Sequence, residues 1–226
     1  MSQKYEVEIK SLLGSKENAS ALISRLKEKR PDTKLVGQEK QLNHYFIAPA
    51  DLSKLKENII LFLTEDQKKS LDLIVANGKK ISIRTRQTDS KVLFVIKASV
   101  GDDTSSNGVK RIEFEAVIPK TLKELDDILI SAGCAYQAKW SREREEYSSG
   151  DMHICLDKNA GYGYLAEFEK VTEVESDLEK IKKELLEVMN DLQVVELPQD
   201  RLERMFAHYN AHWSEYYGTD KTFIIE

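Results

Sequence analysis

The sequence contains too little cysteine for a disulfide scaffold or a multi-cysteine metal site. Its 226 residues include only two cysteines, Cys134 and Cys155, each in apolar surroundings as in a protein core. Disulfide frameworks and structural metal sites need more cysteines at regular spacing. The two thiols therefore predict core positions in a reducing compartment, with the cytoplasm as the default.

Long apolar stretches are absent as well. No run approaches the roughly 20 apolar residues that a bilayer-spanning helix needs, and residues 1–6 lack the hydrophobic segment of a signal peptide. With 41% apolar and 32% charged residues, the composition is typical of a folded, soluble chain. We expect a cytoplasmic protein without a membrane partner.

An excess of positive charge is missing too. The 34 Lys and Arg residues are outnumbered by 39 Asp and Glu residues, which gives a formal net charge of −5. Proteins that coat nucleic acids need a clear basic excess, so general nucleic-acid binding is not expected. A concentrated basic site inside an acidic protein is compatible with this balance.

What the sequence does contain is the alternation typical of strands, interleaved with helical patterns. Strand patterns occupy residues 5–10, 35–47, 79–87, 91–100, 109–118, 136–147, 153–157 and 164–171. Helical patterns occupy residues 16–30, one or two segments within 49–77, and residues 121–132, 175–192 and 200–209. We predict an α+β fold with a mainly antiparallel sheet. The predicted domain is single and spans 1–226, with a core at about 3–172, a helical insertion at about 49–77, and C-terminal helices and a tail at 174–226.

Charged side chains recur on one face of these strands. In Glu6-Val7-Glu8-Ile9-Lys10 the three charges share a face, because successive side chains of a strand point to opposite sides. One interpretation is the solvated face of an antiparallel sheet. The other is the interior of an eight-stranded barrel, where so many charges are costly unless they are paired or bind a charged ligand.

The charged faces separate into two chemical sets. Carboxylate clusters suit Mg²⁺ or Mn²⁺, which prefer oxygen ligands, and guanidinium and ammonium groups suit phosphate oxygens. The carboxylates are Glu6, Glu8, Glu113, Glu115, Asp157, Glu167 and Glu169. The cations are Lys10, Arg84, Arg86, Lys97, Arg111, Arg142 and Arg144. Together the two sets favour a site for a metal-bound polyphosphate.

The same residues form an ordered series of motifs over about residues 3–172. The first is Glu6-Val7-Glu8-Ile9-Lys10, which resembles the ExExK motif of the CYTH superfamily, the triphosphate tunnel metalloenzymes. The later ones are Ile83-Arg84-Thr85-Arg86, Val95-Ile96-Lys97, Arg111-Ile112-Glu113-Phe114-Glu115, Arg142-Glu143-Arg144, Cys155-Leu156-Asp157 and Ala166-Glu167-Phe168-Glu169. One ExExK motif is a weak signal, whereas seven matches in register are specific.

The resemblance implies an eight-stranded antiparallel β-barrel, or tunnel, with flanking helices, which binds triphosphates inside. It implies that the seven cations contact phosphates and that the seven carboxylates hold one or two divalent metal ions, Mg²⁺ or Mn²⁺, directly or through water. Glu6, Glu8 and Lys10 are the implied catalytic residues. Which group moves the proton is left open.

The resemblance covers several activities. We favour a metal-dependent hydrolase of inorganic tripolyphosphate or an organic triphosphate, because this reaction requires the fewest additional features. The alternatives are a class IV type adenylyl cyclase, which makes cyclic AMP and pyrophosphate from ATP, and a non-catalytic binder of polyphosphate or nucleotides. Asn43, in the stretch Gln41–Phe46, stands where the cyclase-like branch often has Asp. A homodimer is left open.

Three further features have ordinary structural explanations. His208 and His212 lie four residues apart but lack a third convergent ligand, which favours surface histidines. Gly161-Tyr162-Gly163 lacks the Lys-Ser/Thr of a phosphate loop and predicts a tight turn. The aromatic residues of the tail, from Trp213 onward, are expected to pack on the domain.

Overall fold

The computed structural model describes residues 5–99 and 111–226. Its strands are β1 (Tyr5–Gly14), β2 (Lys34–Ile47), β3 (Lys79–Thr88), β4 (Lys91–Ser99), β5 (Arg111–Val117), β6 (Ala135–Ser149), β7 (Met152–Asn159) and β8 (Gly163–Thr172). Its helices are α1 (Lys16–Lys29), α2 (Ser53–Ile60), α3 (Glu65–Asn77), α4 (Leu122–Ser131), α5 (Leu178–Asp191) and α6 (Gln199–Tyr216). A short 3-10 turn, Glu175–Asp177, precedes α5. Residues 101–108, whose sequence of Gly, Asp, Ser, Thr and Asn predicts a polar loop, lie outside the described residues.

The strands form one eight-stranded sheet in the order β1-β8-β7-β6-β2-β3-β4-β5. Every pairing whose register is described is antiparallel, which confirms the predicted α+β class. The predicted closure into a barrel is not met, because the pairing order of the described residues begins at β1 and ends at β5. A closed barrel needs its first and last strands to be hydrogen-bonded.

Contacts along the chain divide it into two compact units. The first unit comprises Met1–Lys40 and Arg142–Glu226, and the second comprises Gln41–Ser141. Strands β2 and β6 each contribute residues to both units. The single-domain assignment stays a prediction.

In the first unit, β1 places Val7 and Ile9 in the core and Glu6, Glu8 and Lys10 on its other face. The spacing of charges in the motif Glu6–Lys10 predicted this alternation. Helices α1 and α5 contact the apolar side of β1 and β8. The resulting core contains Leu22 and Leu26 of α1, Phe168 of β8, and Leu185 and Met189 of α5.

In the second unit, helices α2, α3 and α4 cover the apolar faces of β3, β4 and β5. Ile83, Phe94 and Ile96 are buried against Leu125 and Leu129 of α4. The segment 49–77, predicted as one or two helices, contains α2 and α3. Their apolar residues, such as Leu55, Ile59, Leu71 and Ile74, complete this core.

Side-chain caps set the starts of three helices. Ser15 accepts a hydrogen bond from the Asn18 backbone and begins α1. Thr121 and Glu124, which have the sequence spacing of a capping box, form one at the start of α4. Thr64 and Gln67 form a second capping box at the start of α3.

The C-terminal segment is more regular than predicted. Helix α6 continues to Tyr216, beyond the predicted end at residue 209, because Tyr209 is buried and keeps the helix packed. The chain then returns to Gly161, whose backbone exchanges hydrogen bonds with Lys221 and Phe223. No helix in the described part of the chain is both long and apolar enough to cross a membrane.

Candidate functional site

In the first unit, the charged residues of β1 and β8 lie directly opposite one another. Glu8 pairs in register with Glu169, and Lys10 pairs with Glu167. The Lys10 ammonium contacts the Glu8 carboxylate and lies 3.4 Å from Glu167 Oε1. The lysine is therefore held between two carboxylates on the charged face of the sheet.

Strands β6 and β7 add a buried carboxylate gripped by two arginines. Asp157 is fully buried, and Arg144 approaches it with two parallel hydrogen bonds, Nε to Oδ1 at 2.6 Å and Nη2 to Oδ2 at 2.7 Å. Arg142 Nη1 donates to Oδ2 at 2.7 Å. Bidentate pairs of this kind fix the guanidinium plane as well as its position.

Arg144 also connects β6 to β8. Its Nη2 donates to Glu167 Oε2 at 2.6 Å. Burial acts to lower the pKa of Arg144, but its pairing with Asp157 and Glu167 outweighs this and raises that pKa above its ordinary value. Burial likewise opposes ionisation of Glu167, but the charges of Lys10 and Arg144 lower the pKa of this carboxyl to about 2. Both groups therefore carry full charge at neutral pH.

The pKa of Glu169 changes in the opposite direction from that of Glu167. Burial, followed by the negative charges of Glu6 and Glu167 and a hydrogen bond with Glu6, raises the pKa of Glu169 to about 7. Crowded carboxylates that share too little positive charge hold a proton in this way. We call Glu6, Glu8, Lys10 and Glu169, with Arg142, Arg144, Asp157 and Glu167, the first charged cluster.

The donor chemistry of this cluster fits a divalent cation. Glu6 and Glu169 supply neighbouring carboxylate oxygens whose mutual repulsion a cation would relieve, and Glu8 lies opposite Glu169 on the same face. Mg²⁺ in proteins is commonly bound by one or two carboxylates, with substrate phosphates and water completing its shell. Among the side chains that the structure describes, no group of three from His, Cys, Asp or Glu is preassembled for a metal.

In the second unit, two arginines of β3 are held by polar residues of β2. Arg86 Nε donates to Asn43 Oδ1 at 2.9 Å, and Arg84 Nη1 donates to the Tyr45 hydroxyl at 3.0 Å. These contacts follow the register, in which Asn43 opposes Arg86 and Tyr45 opposes Arg84. Arg86 Nη1 also pairs with Glu115 Oε1 at 3.0 Å. We call Arg84, Arg86, Lys97 and Glu115, with Asn43 and Tyr45, the second charged cluster.

The structure thus places the predicted site residues in two groups, each described within its own unit. Glu6, Glu8, Lys10, Arg142, Arg144, Asp157, Glu167 and Glu169 fall in the first cluster, and Arg84, Arg86, Lys97 and Glu115 in the second. Lys97 lies opposite position 113 of β5. For Arg111 and Glu113 of β5 the structure describes the backbone but not the side chains, so their predicted roles stay predictions. The assigned roles in metal and phosphate binding stay predictions.

Sequence reasoning missed the supporting partners of the arginines. Asn43 and Tyr45 were noted only as part of a motif, although their i, i+2 spacing places them on one face of β2. The buried carboxylate of Asp126 on α4 was also not predicted. An acidic residue next to Leu125 on the apolar side of a helical pattern is the signal that could have identified it.

The three other features behave as ordinary structure. The rings of His208 and His212 stack with centroids 4.6 Å apart, and His208 packs on Phe223. Gly161 and Gly163 have φ values of 90° and 75°, as the predicted tight turn requires. Tyr216 packs against Tyr209 and Phe223, which agrees with packing of the aromatic tail.

Comparison with protein families gives one match. A family model described as CYTH domain matches residues 75–201, more than half of the chain. The range includes the motifs of β3 to β8, and the motif at Glu6–Lys10 precedes it. No curated protein matches this chain in sequence.

Several solved structures resemble the fold. The PH1819 protein of Pyrococcus horikoshii has a TM-score of 0.61 at 18% identity, covering 90% of this chain and 99% of its own. A candidate adenylate cyclase from Vibrio parahaemolyticus has a TM-score of 0.59 at 16% identity, covering 90% and 98%. A candidate adenylate cyclase from Bacillus halodurans has a TM-score of 0.50 at 20% identity, covering 88% and 95%. At these identities the likeness concerns the fold.

Proposed function

Because the chain belongs to the CYTH domain family, we propose that it hydrolyses triphosphates with the help of a divalent metal ion. Members of this family are usually enzymes, either triphosphatases or cyclases, and generally use divalent metals. The observation that carries the proposal is the composition of the first charged cluster. It combines cations for phosphate oxygens with two neighbouring carboxyl groups, Glu6 and Glu169, whose oxygens suit a divalent cation.

The cations of the first cluster would bind the phosphate chain. Asp157 fixes the guanidinium plane of Arg144 with two hydrogen bonds and holds Arg142 with one, so both are positioned before a ligand arrives. Preorganised charge is the main requirement of phosphoryl transfer, which needs little covalent chemistry from the protein. Lys10 has three N–H donors, and its contacts with Glu8 and Glu167 keep it on the same face as the arginines.

Glu6, Glu8 and Glu169 would hold the metal ion. When bound, the ion would neutralise phosphate charge and lower the pKa of a coordinated water. Burial and the charges of Glu6 and Glu167 raise the pKa of Glu169 to about 7, and a cation would favour its ionised form. Against the effect of burial, Lys10 and Arg144 lower the pKa of Glu167 beside it to about 2. The protein thereby keeps one carboxyl permanently charged and lets the other respond to the cation.

The cations of the second cluster also have the chemistry to bind phosphate oxygens. Arg84 and Arg86 are anchored by Tyr45 and Asn43, which accept hydrogen bonds without neutralising the guanidinium charge. Lys97 adds an ammonium on the neighbouring strand β4. A neutral acceptor offsets less of a guanidinium charge than a carboxylate does, such as Glu115 beside Arg86.

A second candidate function is adenylyl cyclisation. The Vibrio and Bacillus structures of similar fold are candidate adenylate cyclases, and both reactions need the same charge neutralisation around a triphosphate. We favour hydrolysis because attack by water requires no nucleoside-binding residues beyond the two clusters. A non-catalytic triphosphate binder is the third outcome that an experiment must separate.

The test is product analysis with purified protein, Mg²⁺ or Mn²⁺, and tripolyphosphate, thiamine triphosphate or ATP as separate substrates. We expect orthophosphate from at least one triphosphate and no cyclic AMP from ATP. Formation of cyclic AMP and pyrophosphate from ATP would refute the hydrolase and support the cyclase. Tight binding of a triphosphate without any product would support a non-catalytic binder. Lys10→Ala and Glu8→Gln should abolish turnover, while Lys123→Ala, on the exposed face of α4, is the matched control that should not.

A further inference from the structure

A buried carboxylate lies directly behind the arginines of the second charged cluster. Asp126 of α4 has only 2% of its surface exposed. Its Oδ1 accepts a hydrogen bond from Thr85 Oγ1 at 2.6 Å, and its Oδ2 lies 2.6 Å from His44 Nδ1 and 2.7 Å from the Tyr136 hydroxyl. One side chain thus joins a helix to strands β2, β3 and β6.

The position of this network follows from strand alternation. Thr85 lies between Arg84 and Arg86 on β3, and His44 lies between Asn43 and Tyr45 on β2. Thr85 and His44 are themselves partners in the register. On one face of the strand pair the arginines meet Asn43 and Tyr45, and on the opposite face the Thr85–His44 pair is tied to Asp126.

Burial makes the network rigid as well as specific. Thr85 is fully buried and His44 is 5% exposed, so each polar group would pay the full desolvation cost if its partner were removed. Burial acts to raise the pKa of Asp126, but the hydrogen bonds from His44, Thr85 and Tyr136 outweigh this and lower that pKa. An ionised acceptor with three donors is a strong constraint on the backbone that carries them.

We propose that Asp126 is a positioning residue for phosphate binding: through Thr85 and His44 it fixes β3 against β2 and so aligns Arg84 and Arg86. This inference rests on the proposed function, because it assigns the arginines to phosphate. It differs from a purely structural role in one respect. Loss of the network displaces the arginine side chains even in a protein that remains folded.

Two variants and one control separate these roles. Asp126→Asn removes the charge at constant size, and Thr85→Val removes only the donor on β3 at nearly constant shape. Leu125→Ala is the control, because Leu125 is a fully buried neighbour on the same helix that contributes to the core but not to the hydrogen bonds. It should lower stability without displacing the arginines.

The first readout needs no ligand. Nuclear magnetic resonance of the arginine Nε–H groups should show the Arg86 signal, which reports the bond to Asn43, shifted and exchanging faster in Asp126→Asn and Thr85→Val. Leu125→Ala should leave that signal in place. An unchanged Arg86 signal in both network variants, or an equal change in the control, would overturn the positioning role whatever the protein turns over.

The second readout is tripolyphosphate binding by calorimetry, well below the unfolding temperature of every variant. The dissociation constant should rise about tenfold in both network variants, the factor expected when one charge-assisted hydrogen bond is weakened, and stay within about twofold in the control. Adding Arg86→Lys to Asp126→Asn should weaken binding less than the sum of the two single effects. Full additivity would contradict an action through Arg86. A wild-type chain that binds no triphosphate would refute the proposed function, while the arginine signals would still decide the positioning role.

Discussion

Arg144 holds Asp157 with two parallel hydrogen bonds, although the Asp157 side chain has no exposed surface. Arg142 donates to the same carboxylate. A charge buried in this way is stable only while its partners remain, because removing one partner leaves an uncompensated ion in a low-dielectric environment. The pair therefore contributes to the fold of the first unit as well as to the charge of its site.

The first prediction is that Asp157→Ala destabilises the protein by about 3–5 kcal/mol. The substitution removes the acceptor of three hydrogen bonds and leaves Arg142 and Arg144 without their common partner. Urea unfolding followed by circular dichroism measures the change. Asp127→Ala, which removes one partner of an exposed pair with Lys123 on α4, is the control and should leave the midpoint unchanged. Equal midpoints for the two variants would contradict the role assigned to Asp157.

The second prediction concerns the pH dependence of stability. The pKa of Glu169 rises from 4.5 to about 7 in the folded protein, so between these values the folded state holds more protons than the unfolded state. The stability linked to this group is complete below the lower value and is lost as pH rises through about 7. Glu169→Gln cannot lose a proton. From about pH 5 to about pH 8 its stability should gain about 2 kcal/mol relative to the wild type.

Urea titrations of both proteins at several pH values test this trend without added metal. Glu187→Gln, on the exposed side of α5, is the matched control for the chemical change. A constant difference between wild type and Glu169→Gln over the whole range would show that Glu169 does not hold a proton in the fold.

The third prediction is that metal binding releases a proton. A divalent cation near Glu6 and Glu169 favours the ionised form, so Mn²⁺ should bind more tightly as pH rises through about 7. Calorimetry in two buffers of different ionisation enthalpy gives the number of protons released. Glu169→Gln should weaken binding and abolish the release, and release that persists in this variant would assign the proton to another group.

Much of this arrangement could be predicted from the sequence because strand alternation encodes faces. Glu6, Glu8 and Lys10 lie on one side of β1 as their spacing required, and α1 and α4 lie within the helical patterns at 16–30 and 121–132. These features depend on neighbours within a few residues. Local rules therefore suffice for them.

The interactions that could not be predicted depend on register and on long-range packing. The residues near Asn43 in the chain do not show that it lies opposite Arg86, because that contact depends on the register between β2 and β3. Asp126 meets Thr85 across 41 residues of sequence. Closure of the sheet was implied by the resemblance. Alternation within a strand shows which side chains share a face, but it does not show whether the outer strands β1 and β5 are hydrogen-bonded to each other.

The fourth prediction concerns the turn that receives the C-terminal segment. A Cβ atom at Gly161 would lie 2.6 Å from the Tyr209 ring, and the residue has a φ of 90°. Gly161→Ala should therefore cost about 2 kcal/mol through overpacking and backbone strain. Gly150→Ala is the control, because its φ is also positive, at 61°, but a Cβ there meets nothing within 4 Å. Its loss should be limited to about 1 kcal/mol of backbone strain, as thermal unfolding can show.

The fifth prediction uses the neutral partner of Arg86. Asn43 accepts the Arg86 Nε–H at 2.9 Å and leaves the guanidinium charge uncompensated at that contact. Asn43→Asp would place a carboxylate there, so the arginine would be held more tightly but would offer less positive potential to a phosphate. We expect triphosphate affinity to fall about fivefold to tenfold, with thermal stability unchanged or slightly higher.

The matched control is Asn58→Asp, which adds the same charge on α2 of the same unit, where Asn58 contacts Ser131 rather than an arginine. Its affinity for tripolyphosphate should stay close to that of the wild type. If both variants weakened binding equally, the effect would come from net charge. If Asn43→Asp bound tripolyphosphate as tightly as the wild type, the neutral character of the Asn43 contact would not matter for phosphate, and Arg86 would be removed from the proposed site.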